Sequence, residues 1–276
     1  MLRQCCPAPG VGCDIGATGV YNPLYTVSGF AVGFLVGMTG VGGGSLMTPL
    51  LVLLFGIHPA TAVGTDLLYA AITKSVGTAV HGFNRSVDWR IVGRLALGSG
   101  PTTLATGLLL YWLGASNDQT AHLISFVLGI AVLITAVMLL GRPWIVAWLG
   151  PRLGPDGPGH AVALTVLAGA VLGVLVTLSS VGAGALGVTV LLTLYPRLPT
   201  VRIVGSDVAH AVPLTLLAGA LHWLIGTIDW TLLGSLLLGS VPGIIFGSVL
   251  ATRVPDKVTR PALAAVLVLV GGRLVF

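Results

Sequence analysis

Charge is what this chain has least of. Only 8 % of its 276 residues are Asp, Glu, Lys or Arg, against 55 % hydrophobic, whereas a soluble domain carries about a quarter charged residues. So few charges cannot cover a water-facing surface, which excludes a soluble multi-domain enzyme. Cysteine is confined to Cys5, Cys6 and Cys13, ahead of any apolar run. An odd number in a short tail makes no disulfide framework. Three cysteines can hold a metal, but an unstructured tail or a misplaced start codon is the simpler reading. The tail has no apolar stretch of its own and does not read as a secretory signal. P-loop, HExxH and nucleophile-elbow motifs are all missing, so neither enzyme activity nor a cofactor is expected.

Long apolar runs fill the space that charge leaves. The mean hydropathy is +1.02, and long, nearly uncharged runs read as bilayer-spanning helices. Ten segments stand out: 24–38, 45–56, 60–83, 88–113 and 120–141, then 160–178, 185–195, 200–225, 228–250 and 257–276. The Gly- and Pro-rich "GPRLGPDGPG" at 150–159 divides them. The formal charge of +5 fits Lys and Arg in cytoplasmic loops better than a nucleic-acid surface, because no basic run interleaves with aromatics.

The two groups of five match in detail. Val41-Gly42 aligns with Val181-Gly182, Gly44 with Gly184, and Gly64-Thr65-Asp66 with Gly205-Ser206-Asp207. His81 aligns with His222, Asp88-Trp89 with Asp229-Trp230, and Leu97-Gly98-Ser99 and Pro101 with Leu238-Gly239-Ser240 and Pro242, at a constant offset of 140 or 141. Such register indicates an internal repeat. Ten of the thirteen basic residues fall on one side if every segment reverses direction, and the positive-inside rule makes that side cytoplasmic. Five segments is an odd number, so the second copy is upside down, as in many secondary transporters. The expected fold is an all-α integral membrane protein. It has a tail at 1–23, a first repeat at 24–141, a cytoplasmic linker at 142–159 and a second repeat at 160–276. Both termini lie outside.

Glycine interrupts both copies where apolar helix should continue: "GVGGGSL" at 40–46 and "SVGAGAL" at 180–186. Segment 24–38 would be roughly 22 Å of helix at 1.5 Å per residue, short of a hydrocarbon core about 30 Å thick. Each flanking pair therefore reads as a broken or re-entrant helix hairpin with glycines at its tip. Non-helical backbone at that depth belongs where it is buried in protein or lines a cavity. With inverted copies, the two tips enter from opposite sides and meet near the midplane. A helix starting after each tip offers free N–H groups and a positive dipole end. Gly42, Gly43, Gly44 and Ser45, with Gly182 and Gly184, are candidates for binding a small anion. The plainer reading is that they only let helices pack closely.

The stretch "GFLVGMTGVGGGSLMTPLLVLLFGIHPATAVGTDLLYAAITKSVGTAVHG", its looser second copy and the "VDW" and "IDW" helix starts resemble the TauE/SafE sulfite exporter family. The resemblance runs over nearly the whole chain from about residue 24. It implies a multi-pass transporter of a bacterial-type plasma membrane, for sulfite, a sulfonate or another sulfur-containing anion, without choosing among them. The family is usually drawn with fewer spans than ten, a difference in how the hairpins are counted.

Lys74 sits midway along its segment, where a lysine costs roughly 2.5–3.5 kcal/mol on insertion scales. A bound anion or a pair with Asp66, two turns earlier, would offset that cost. Asp66 and Asp207 either satisfy local backbone with Thr65 and Ser206 or couple transport to protons. His81 and His222 read as interfacial hydrogen-bonding residues or as a proton relay. Asp88 and Asp229 read as N-caps, and Trp89 and Trp230 as interface anchors. The sequence thus points to a secondary transporter of a small anion. Alternatives are a passive anion channel and a cation transporter using Asp66 and Asp207. Oligomeric state is not legible in it.

Overall fold

The computed structural model describes residues 23–39, 44–83, 87–114, 117–153, 157–251 and 256–275. The three cysteines lie outside them, as do Gly42 and Gly43. Among the described residues there are ten helices and no strand. They are α1 (Pro23–Thr39), α2 (Gly44–Phe55), α3 (Pro59–Phe83), α4 (Trp89–Leu113), α5 (Asp118–Leu153), α6 (Gly157–Ser179), α7 (Ala185–Leu194), α8 (Thr200–Ile225), α9 (Trp230–Ala251) and α10 (Asp256–Val275). They follow the ten apolar segments of the sequence.

Asp88 caps α4 by accepting from Arg90 N at 3.1 Å, and Asp229 Oδ1 accepts from Leu232 N at 2.9 Å at the start of α9. Both act as the N-caps the sequence leads one to expect. Two boundaries differ. The helix expected over 120–141 continues through Pro143 and Pro151 to Leu153, so much of the stretch read as linker is helical. The arm expected over 160–178 begins earlier, at Gly157. Its apolar part, His160–Ser179, is long enough to cross a membrane, as are Asp118–Pro151, Thr200–Ile225 and Trp230–Gly247.

The distribution of polarity is that of a protein whose solvent is lipid. Leu97, Trp112, Leu224 and Leu269 are each at least 70 % exposed, while Asp66, Asp207, His210 and His222 are at 0 %. Apolar side chains gain nothing by hiding from lipid, so the interior is free to collect the polar groups. Trp89 and Trp230, 65 % and 57 % exposed, stand beside their capping aspartates as interface anchors would.

Two helix pairs form the tightest contacts. α1 lies on α9: a Cβ on Gly33 would strike the main chain of Ser240, and one on Gly239 that of Thr26. α4 lies on α6: Gly98 faces the Val166 carbonyl, and Gly169 faces the main chain of Leu95. Glycine permits this because backbone meets backbone. α5 pairs with α10 through Gly129 and Gly271, and α3 with α8 through Gly64 and Gly219. Gly169→Val should cost about 3 kcal/mol or more, the upper end for overpacking, because main chain cannot give way. The check is a lowered thermal midpoint in detergent. Gly93→Val, at a glycine whose Cβ would meet nothing within 4 Å, should leave that midpoint nearly unchanged.

Candidate functional site

The site grows from the second glycine break. α6 ends at Ser179, and α7 begins at Ala185. Between them Gly182 has φ +123° and Gly184 φ +125°, a region that L side chains with a Cβ rarely enter. The turn is tied at its edges: Val181 N donates to Ser179 Oγ at 3.2 Å, and Gly187 N donates to Gly182 O at 3.3 Å. Gly184 caps α7 without a side-chain hydrogen bond. Ser180, Val181 and Ala183 are buried, so this irregular backbone is enclosed in protein, as its apolar surroundings require.

Charged groups from three other helices reach this turn. Lys74 Nζ of α3 donates to Ala183 O at 3.2 Å and lies within Coulombic reach of both Asp207 and Asp66. Asp207 of α8 rests on the first turn of α7: its Oδ1 occupies the space a Cβ on Gly187 would take, and it faces the Gly184 N–H. Arg142 of α5 acts on the same carboxylate while its Nε donates to Thr189 Oγ1 at 3.3 Å. Asp66 accepts from the Thr48 hydroxyl of α2 through Oδ2 and has Ser180 of the break as a neighbour. Four buried atoms here complete no hydrogen bond: Asp66 Oδ1, Ser180 Oγ, and both carboxylate oxygens of Asp207.

Of the residues singled out in the sequence, Lys74, Asp66, Asp207, Gly182 and Gly184 therefore come together. Gly44 opens α2, and Ser45 beside it is buried. Lys74 is not closed into a hydrogen-bonded pair with Asp66; its proton goes to the break instead. His222 lies at the C-terminal end of α8, fully buried, with Nδ1 at 2.9 Å from Thr227 Oγ1 and Nε2 at 3.0 Å from Thr177 O. Both ring nitrogens are engaged. The side chain of His81 lies outside the described residues. Thr65 and Ser206 accept from backbone, though not locally: Thr65 Oγ1 takes the Asp229 N–H at 3.1 Å and Ser206 Oγ the Asp88 N–H at 2.8 Å.

Sequence reasoning missed His210, which is fully buried, with Nε2 at 2.9 Å from Ser99 Oγ and Nδ1 without a partner. It also missed Tyr69, whose ring is buried and whose hydroxyl neighbours Ser240. A signal was present. Tyr69 and His210 follow Asp66 and Asp207 by three residues, the spacing that puts two side chains on one helix face.

The family profile described as Sulfite exporter TauE/SafE matches residues 25–274. The chain is 38 % identical over 249 residues to the probable membrane transporter protein YjnA of Bacillus subtilis, an alignment covering 90 % of this chain and 97 % of that one. It is 26 % identical over 236 residues to a probable membrane transporter protein of Xylella fastidiosa, covering 82 % and 83 %. A probable membrane transporter protein of Methanocaldococcus jannaschii is 24 % identical over 259 residues, covering 89 % and 90 %. No solved structure matches significantly. A profile that runs from the first helix to the last, together with a close relative of almost equal length, makes this chain a member of the TauE/SafE family of membrane transporters rather than of an enzyme family.

Proposed function

We propose that the protein is a secondary transporter that moves a small sulfur-containing anion, sulfite or an organosulfonate, out of the cell by alternating access. It would work from a bacterial-type plasma membrane. The carrying observation is Lys74, an ammonium group brought into a lipid-surrounded interior and held on the carbonyl of a glycine-broken helix. A cation placed there is costly unless negative charge offsets it, and Asp66 and Asp207 would share that task with the anion the site binds. The break beside it leads into the first turn of α7, which has no side-chain cap of its own and whose backbone N–H groups favour negative charge. In this reading Gly182, Gly184 and Lys74 supply one side of the anion site. Gly42, Gly43, Gly44 and Ser45 supply the other, and Asp66 and Asp207 link transport to protons.

The reading also takes 24–141 and 160–276 as inverted repeats. Support comes from contacts that recur with the two halves exchanged. α1 pairs with α9 as α6 pairs with α4. Thr65 receives the Asp229 N–H as Ser206 receives that of Asp88. Tyr69 neighbours Ser240 as His210 meets Ser99. The first turns of α2 approach the second break through Asp66, which touches both Thr48 and Ser180, consistent with two opposed tips meeting.

One observation favours a second reading. Two buried carboxylates with unfilled oxygens would also suit a cation carried between Asp66 and Asp207. A proteoliposome screen of sulfite, thiosulfate, sulfate, taurine and sulfoacetate, with and without a pH gradient, separates these readings. Accumulation of one anion against its gradient is the expected result. Fast flux that only dissipates a gradient would mean a passive channel. No anion flux, with a cation dependence lost on neutralising both aspartates, would mean the cation transporter.

A further inference from the structure

Asp66 and Asp207 occupy matched places in the two halves, yet their surroundings differ. Asp66 is tied to α2 by the hydroxyl of Thr48. No hydroxyl of α7 does the same for Asp207: that of Thr189 donates to Ala185 O at 2.7 Å and accepts from Arg142 Nε at 3.3 Å. Asp207 instead lies against Gly187, with no side chain between its carboxylate and the helix backbone. It is fully buried, and neither of its oxygens completes a hydrogen bond. It faces the Gly184 N–H, Lys74 from α3 and Arg142 from α5. Asp66 faces the same lysine, and His210 stands one turn further along α8. A carboxylate thus sits at the N-terminus of α7, within Coulombic reach of two cations, where the anion reading would seat the substrate.

We infer that Asp207 is a tethered stand-in for the transported anion: it fills the α7 cradle when the cradle is empty, and the substrate enters only when Asp207 has taken a proton or swung away. The inference rests on the anion reading above and specifies how the same site is regulated. Asp207 and Asp66 together already offset Lys74 and Arg142, and a further negative charge in the same dry space is strongly repelled. A proton from the aqueous side to which the site is open binds a carboxylate oxygen of Asp207 and cancels its charge, and the oxyanion takes over the contacts. When the anion leaves and the proton is released, Asp207 closes the cradle again. Proton and anion therefore cross together without touching each other, so export in this mode runs on the anion's own gradient and the membrane potential rather than on proton entry. The chemistry selects a compact oxyanion that presents oxygens as a carboxylate does. Asp66, held by Thr48, has no such freedom and serves as a fixed neighbour.

The test is sulfite binding by calorimetry to the full chain in lipid nanodiscs, for wild type and Asp207→Asn at pH 7.5 and pH 5.5. The affinity ratio of the two proteins at each pH cancels the titration of sulfite itself. Asp207→Asn should bind several-fold more tightly than wild type at pH 7.5, and the ratio should fall toward about one at pH 5.5 if a proton on the wild-type carboxylate is what admits the anion. Asp207→Ser, which empties the cradle instead of neutralising it, should follow the same pattern and covers the case in which the amide variant does not fold. A ratio that is the same at both pH values, or weaker binding by both variants at pH 7.5, would overturn the inference while leaving Lys74-dependent binding by wild type in place. Sulfite binding by none of the proteins would remove the anion reading and this inference with it.

Discussion

Gly182→Val should reduce anion flux in proteoliposomes to background while the protein still accumulates in the membrane. The reason lies in the backbone. A Cβ at Gly182 would meet Leu172 and Leu186 at 3.4 Å, an ordinary contact, so volume is not the obstacle. The φ of +123° is: a residue with a Cβ costs of order 1–3 kcal/mol in such a region, and a β-branched one is a stronger outlier. The turn is the cheapest place to relieve that strain. Its relaxation would move the Ala183 carbonyl off Lys74 and turn the first N–H groups of α7 away from the anion. The helices on either side are held by their own packing and should survive, so membrane abundance stays near wild type. Gly182→Ala should show an intermediate loss. Undiminished flux in the valine variant would mean that the break has no part in transport.

Lys74→Met should weaken anion binding by about 10- to 100-fold, the equivalent of losing one charge-assisted hydrogen bond of about 1.5–3 kcal/mol in a dry site. Methionine nearly matches the length of lysine, packs adaptably and brings no charge into the bilayer, so the helix itself gains little reason to rearrange. What remains are the Asp66 and Asp207 carboxylates without their shared cation, and these can take up protons. Lys74→Arg should retain part of the affinity, because the charge persists while its planar fork fits differently. Binding titrations in nanodiscs, together with membrane yield, check both variants. Failure of Lys74→Met to accumulate in the membrane would instead identify the lysine as a structural counter-ion to the two aspartates.

Hydrophobicity made the helices visible in the sequence, because a segment exposed to lipid must be apolar almost throughout. Matching spacing made the break visible, because Gly182 and Gly184 follow Gly42 and Gly44 at an offset of 140. The caps at Asp88 and Asp229 were visible for the same reason. What stayed hidden was which helix meets which. Backbone-to-backbone packing of α1 on α9 and of α4 on α6 leaves only scattered glycines behind, in a chain with 40 of them. The end of α5 was hidden too, because Pro143 and Pro151 read as breakers in water, whereas packed membrane helices accommodate proline. At the site, Asp207 could be matched with Asp66 by alignment. Its seat on Gly187 depends on a tertiary approach that no spacing along one helix encodes. His210 escaped notice because its partner Ser99 lies on a distant helix.

The crossed pairing of α1 with α9 and α4 with α6 bears on biogenesis. When the ribosome has delivered the first five helices, α1 and α4 still lack the surfaces they are shaped to meet. Each glycine-lined face must wait in the bilayer until its mate is threaded in, nearly the whole chain later for α1. Assembly is therefore postponed to the end of synthesis. A gene cut in the connection after α5 would yield two incomplete pieces, each stranded until the other is made in the same cell.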